Sequence, residues 1–375
     1  MDGGDGMERD SLFASRLPEW RETPEVEWRD ESSLYYAGEP YGGRDTRVFA
    51  YFGLPTNGGD NTPGMVLVHG GGGTAFPQWV RMWNERGYAA LAMDLSGRGP
   101  DGERLSDGGP GQGHEQKFHA MDAGLREMWT YHAVAAVVRG LSLLAAQATV
   151  DALRIGVTGI SWGGYVTCML AGIDARIAAA IPVYGCGFLH HNSCWLEEFV
   201  RLPPEHRETW IRHFDPSSHL PRAAMPMLWV NGTNDFAYPP DSYQKSYRAA
   251  TGPTTLCVKV GMAHGHEPGW APAEIGLFAD QHLLGGEPLP TIGRTEVSDG
   301  WAFARYSSGR GIATAGVHYA SDAGVWHERA WTSKPAEARD GVVRAALPPE
   351  RPLVTYLTVE DDRGATISAE HVTAG

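Results

Sequence analysis

The chain has 375 residues, 42% of them apolar, enough for one large catalytic domain with a substantial core plus a small accessory one. Its formal net charge of −14 argues against nucleic acid or an anionic membrane as the main partner. No stretch is long enough to span a bilayer, and the four cysteines, Cys168, Cys186, Cys194 and Cys257, show neither Cys-x-x-Cys nor metal-ligand spacing.

The start, Met1-Asp2-Gly3-Gly4-Asp5-Gly6, is acidic and polar and lacks the basic and apolar segments of a signal peptide, so a cytoplasmic enzyme is expected. Cys168 and Cys257 read as buried thiols; Cys186 and Cys194 flank a loop and would pair only in an oxidising compartment. Residues 1–32 read as an N-terminal arm with a short helix. The apolar run at 47–55 is an early strand, and 65–69 is a buried strand that ends in Gly70-Gly71-Gly72-Gly73. An amphipathic helix is expected over 79–86, a strand over 89–93, and a Gly/Pro/Asp-rich loop over 96–113. Helical spacing runs through 129–146, and a strand leads into Gly159-Ile160-Ser161-Trp162-Gly163, which opens another helix.

Buried strands follow at 177–184, 227–232 and 256–260, with an insertion rich in His, Trp and charge at 185–220 and a closing helix at 273–282. Strand–helix alternation of this kind predicts an α/β fold with a mostly parallel, doubly wound sheet over residues 33–288, the 185–220 insertion lying over the active site. From 289 to 375 the pattern changes to β-prone runs at 301–306, 316–320 and 353–359 separated by Gly, Asp and Pro turns. This tail reads as a small antiparallel, β-sandwich-like domain.

Gly159-Ile160-Ser161-Trp162-Gly163 between a strand and a helix has the form of a nucleophile elbow, whose sharp turn pushes a serine oxygen out of the sheet. Hydrolysis through a serine also needs a base, an acid that orients it, and donors for the oxyanion. Asp235, in the loop after the 227–232 strand, is the candidate acid. Asp241 looks like a helix N-cap, and Asp215 lies in the insertion. His264 and His266 follow the last strand. His264 is nearer the strand end and is the chosen base, with His266 as support or site lining; the sequence does not decide between them. The oxyanion donors expected are the N–H of Trp162 and those of Gly71 and Gly72 in the His-Gly-Gly-Gly segment. The glycine run lacks the Gly-Lys-Ser/Thr and Gly-x-Gly-x-x-Gly contexts, so no nucleotide cofactor is expected. His190-His191 and His264-x-His266 lack further ligands, so no metal is expected.

His69-Gly70-Gly71-Gly72-Gly73-Thr74, Ala92-Met93-Asp94, Gly159-Ile160-Ser161-Trp162-Gly163-Gly164, Gly232-Thr233-Asn234-Asp235 and Met262-Ala263-His264-Gly265-His266 together resemble α/β-hydrolases of the acetyl xylan esterase and prolyl-oligopeptidase-like superfamily. The resemblance covers 33–289. It implies a serine hydrolase with Ser161, Asp235 and His264 and does not settle the substrate, for which a carbohydrate or other small acyl ester is expected. An aminopeptidase is the alternative, with Glu197-Glu198 as holders of a substrate amino group. A non-catalytic binding scaffold is the third reading. By position, Tyr184, Trp195 and His266 are expected to line the substrate pocket, with Trp162 walling the acyl side. Homo-oligomerisation is compatible with the sequence.

Overall fold

The computed structural model describes residues 11–375. Met1 to Gly6, on which the reading of a leaderless start rests, lie outside the described residues. Nine strands build the main sheet: β1 (Val26–Trp28), β2 (Ser33–Ala37), β3 (Arg47–Gly53), β4 (Thr62–Val68), β5 (Ala89–Met93), β6 (Val150–Ile160), β7 (Ala179–Val183), β8 (Met227–Gly232) and β9 (Thr254–Lys259), in the order β1-β2-β3-β5-β4-β6-β7-β8-β9. The β5-β4-β6-β7-β8-β9 stretch is parallel, while β1, β2 and β3 extend it antiparallel. Every residue of β4, β5 and β7 is buried. That is why these strands read in the sequence as unbroken apolar runs rather than alternating ones.

The helices are α1 (Ser11–Ala14), α2 (Leu17–Trp20), α3 (Pro77–Glu85), α4 (Trp129–Ala145), α5 (Trp162–Ile173), α6 (Leu196–Arg201), α7 (Pro204–Phe214), α8 (Pro240–Ala249), α9 (His266–Trp270) and α10 (Ala273–Ala279). Helix α3 packs on β3 and β5, α4 on β4 to β6, and α5 on β6 and β7. Residues 129–144 of α4 are all buried, so this helix is covered all round and is mostly apolar on every side. The N-terminal segment is more integrated than an arm. Strand β1 pairs with β2, and Trp20 is buried, donating its indole N–H to Glu39 at 2.8 Å. Buried Glu39 also accepts from Arg139 (2.7 Å) and Tyr131 (3.0 Å). Burial alone would raise its carboxyl, but these donors outweigh it and hold it below the usual range.

After 289 the chain forms β10 (Thr291–Ile292), β11 (Glu296–Ser298), β12 (Trp301–Ser307), β13 (Ile312–Ser321), β14 (Thr332–Pro335), β15 (Glu337–Arg339), β16 (Val342–Ala346), β17 (Leu353–Asp361), β18 (Thr366–Ser368) and β19 (Val372–Ala374). They make two antiparallel sheets, β10-β12-β16-β15 with β11, and β14-β13-β17-β18 with β19. Between them lies a small core of Ala302, Ala304, Val317, Val343, Leu357 and Val359. The opposite side of β17 meets the main sheet. Tyr356 donates to the Val258 carbonyl at 3.3 Å, and Ser368 Oγ accepts from the Val258 N–H at 2.9 Å. This module covers the β9 edge, which would otherwise present unpaired backbone groups.

Four histidines, His132, His266, His318 and His371, are lowered to about 4 from 6.5, each mainly by burial. The folded chain refuses protons that the unfolded chain takes up below 6.5. Their contribution to stability is complete above 6.5 and is lost as pH falls toward 4. The melting temperature should therefore decline steadily between pH 7 and pH 4.5. A melting temperature that stays level from pH 7 to pH 5 would contradict the burial of these rings.

Among the described residues no helix is long and apolar enough to cross a membrane. All four cysteines are free, so Cys186 and Cys194 do not pair.

Candidate active site

Ser161 stands at the β6–α5 turn with φ 58° and ψ −116°, a conformation that L residues avoid. The flanking glycines make the turn feasible. A Cβ on Gly159 would lie 2.2 Å from the Gly163 carbonyl oxygen, and one on Gly163 would lie 1.9 Å from that of Val68. The turn brings Ser161 Oγ to 2.9 Å from His264 Nε2, and His264 Nδ1 to 2.6 Å from Asp235 Oδ2. Asp235 is fully buried, and its other oxygen accepts from the N–H groups of Ala237 (2.9 Å) and Tyr238 (2.7 Å). The carboxylate accepts a hydrogen bond from Nδ1–H, which keeps the proton on that nitrogen and leaves Nε2 bare to accept from the serine hydroxyl. The structure thus brings together Ser161, Asp235 and His264, which follow the parallel strands β6, β8 and β9.

His266 is placed differently. Its Nε2 accepts from the Gly70 N–H at 3.0 Å, and its ring packs on Phe76 at 4.8 Å. A ring nitrogen that accepts is unprotonated, so His266 is a neutral Nδ1–H tautomer. Burial, with the nearby His69 and His264, lowers it to about 4. His266 is neither the partner of Ser161 nor a pocket wall; it sits behind the glycine loop and fixes it. A Cβ on Gly73 would come within 2.6 Å of His266 Nε2, so only glycine allows this packing. His69, fully buried, supports the same loop from its root. It accepts from the Leu95 N–H at 2.8 Å, so its Nδ1 proton goes to the Gly70 carbonyl at 2.7 Å.

His266→Ala leaves the Gly70 N–H without its acceptor and should lower turnover about 10- to 100-fold by loosening the loop. His266→Gln, whose side-chain oxygen can accept, should recover most of that loss. A loss with His266→Ala as deep as that with His264→Ala would contradict this assignment.

Gly71 and Gly72 are exposed at the cleft, Gly72 with φ +71°, and a Cβ on Gly71 would lie 3.1 Å from Trp162 Cδ1. The Trp162 N–H, in the first turn of α5, has no acceptor within the helix. A cleft of about 720 Å³ opens beside the loop, lined by Gly72, Gly73, Arg98, Gln112, Gln116 and Tyr41.

Tyr184 does not line the pocket. It is fully buried, stacks on the His264 ring at 4.4 Å, and donates to the Ala263 carbonyl at 2.7 Å, so it backs the imidazole. Trp195, from the insertion, packs on Trp162 at 4.5 Å and on Tyr238 at 5.1 Å, behind the site rather than across its mouth. Trp210 is core; its indole N–H bonds the Lys117 carbonyl at 2.7 Å. Asp241 is not an N-cap. It lies inside the first turn of α8, whose N-cap is Pro239, and its carboxylate accepts from Asn192 at 3.0 Å. Asp215 is committed to the N–H groups of Phe188 and Leu189. Glu198 is held by His114 (2.8 Å) and His119 (2.7 Å), while Glu197 points into solvent, so neither offers a site for a substrate amino group.

Sequence reasoning missed Phe236, an exposed ring 5.1 Å from His264, although it directly follows the candidate acid. It also missed Asn234, whose amide bonds the carbonyls of His327 (3.1 Å) and Arg329 (2.9 Å) and ties the acid loop to the C-terminal module. No local signal marks that tie, because its partners are more than 90 residues away. Among the described residues no group of three or more His, Cys, Asp or Glu could hold a metal ion.

The family model for acetyl xylan esterase (AXE1) matches residues 26–229, more than half of the chain. Among solved structures, the acetyl xylan esterase from Paenibacillus sp. R4 superposes with a TM-score of 0.60 at 21% identity, over 75% of this chain and 97% of that one. Acetyl xylan esterase 1 from Thermoanaerobacterium sp. JW/SL YS485 gives 0.58 at 20%, over 74% and 93%. Both likenesses show the shared α/β-hydrolase fold. The family match includes Ser161 and ends before Asp235 and His264, so the two later residues rest on geometry.

Proposed function

Because this chain belongs to the acetyl xylan esterase family, a serine hydrolase of the esterase type, we propose that it deacetylates carbohydrate esters of the xylan kind, or similar small acyl esters, through an acyl-enzyme on Ser161. The observation that carries the proposal is the continuous line from Ser161 Oγ through His264 to buried Asp235. His264 takes the serine proton as Oγ attacks the ester carbonyl, and Asp235 stabilises the resulting imidazolium. The oxyanion is met by N–H groups of Trp162 and of Gly71 and Gly72 in the glycine loop. His264 then protonates the leaving alcohol. A water activated by the same imidazole releases the acid and frees Ser161.

The polar cleft beside the glycine loop, with Arg98, Gln112, Gln116 and Tyr41, offers donors and acceptors suited to a hydroxyl-rich leaving group. The aromatic surroundings of Trp162 suit a small acyl group. The test is a rate comparison between acetylated xylo-oligomers and p-nitrophenyl acetate, with a burst of p-nitrophenol sought at high enzyme concentration. Hydrolysis of aminoacyl-anilides faster than either acetyl ester would overturn the proposal.

A further inference from the structure

Lys117 lies in a π-helical turn, Glu115–His119, a distortion that often marks functional positions. Lysine is seldom buried without a partner. Lys117 is only 4% exposed, yet among the described residues its ammonium has neither a carboxylate nor a hydrogen-bond acceptor. Instead it sits over the Trp162 ring at 4.1 Å and near the Trp129 ring at 5.2 Å. Trp162 immediately follows Ser161, and its indole edge also adjoins the glycine loop, where a Cβ on Gly71 would lie 3.1 Å from Cδ1. The charge is also felt at His69, the root of the glycine loop.

We infer that the Lys117 ammonium is a positive charge that favours the oxyanion formed on Ser161, acting through space at the Trp162 and Gly71 donors. This rests on the acyl-enzyme reading above. The ionisable groups facing Lys117 give it no full counter-charge. The Cys194 thiol from the insertion is pushed up to about 12 by burial and is neutral. His69 is buried and lowered, hence neutral. Asp94 stands beyond His69, 3.8 Å from its Nε2. The two tryptophan faces hold the ammonium but do not neutralise it. The enzyme–substrate complex therefore carries a cation without a counter-charge, and the transition state supplies the anion. That is the preorganised arrangement that lowers a barrier without reorganisation. Burial lowers the ammonium to about 7, so the charge is present below that pH and lost above it.

The test compares native protein with Lys117→Met and Lys117→Arg on p-nitrophenyl acetate. Lys117→Met should lower kcat about tenfold with KM little changed, and Lys117→Arg should retain more activity than Lys117→Met. In native protein kcat/KM should decline as pH rises through 7 to 8, and that decline should vanish in Lys117→Met. Native kcat in a folded Lys117→Met, or an effect confined to KM, overturns the inference. If Lys117→Met does not fold, the native profile decides: a level kcat/KM from pH 7 to 9 overturns it. Failure of the acyl-enzyme reading itself would look different, since Ser161→Ala would then keep its activity.

Discussion

Ser161→Ala should lower kcat on acetyl esters by about 10⁵-fold or more, and His264→Ala should fall in the same range. The size follows from how the parts depend on one another. His264 Nε2 can take a proton only from the oxygen 2.9 Å away, and the orientation of that ring is set by Asp235 at 2.6 Å and by Tyr184 stacked on its face. Without Oγ the aligned base has nothing to activate toward the ester. What survives is binding and the oxyanion donors. The double variant Ser161→Ala/His264→Ala should lose no more than either single one, because the residues act as one unit. Initial rates and labelling by a fluorophosphonate probe read both results. Ser161→Ala with more than a small fraction of native turnover would remove the serine from the mechanism. Alanine accepts the same backbone angles as serine, so circular dichroism should match native protein.

Gly163→Ala has the largest expected effect on stability, about 4 kcal/mol or more. Its Cβ would stand 1.9 Å from the Val68 carbonyl oxygen and 2.7 Å from that of His69. Both are backbone atoms, one at the end of central strand β4 and the other at the root of the glycine loop. Neither can move aside as a side-chain tip can. Relief requires α5 to shift away from β4, which breaks the close packing of helix on sheet. The methyl group also disturbs the turn that holds Ser161, so activity should vanish together with the fold. Urea unfolding monitored by tryptophan fluorescence measures the loss. A Gly163→Ala protein with native midpoint and native rate would show that the elbow is not packed this tightly.

These two effects concern the part of the molecule most legible in the chain. Gly159, Ser161 and Gly163 lie within five residues, so the strand, the turn and the helix start are local events that short-range sterics dictate. The parallel core strands were legible for a related reason. Burial on both faces demands apolar side chains at every position, and β4, β5 and β7 show it. The order of the serine, Asp235 and His264 was legible because parallel strands all end on the same edge of the sheet, so loops distant in sequence arrive together. The edge strand β1 and its neighbour β2 were not legible, being only three and five residues long.

What the sequence by itself determined is the fold class, the elbow, and one acid and two histidines at the carboxyl ends of the right strands. What only the tertiary structure decided is the division of labour among them. His264 and His266 are two residues apart and chemically identical. They differ because one ring nitrogen meets Ser161 and the other meets the Gly70 N–H, partners about 100 and 196 residues away. The same holds for Tyr184, turned from expected pocket wall to support of the imidazole, and for Lys117, whose significance lies in the Trp162 face it covers. Hydrogen-bond geometry and burial are set by the packed molecule, and no local pattern of residue types contains them.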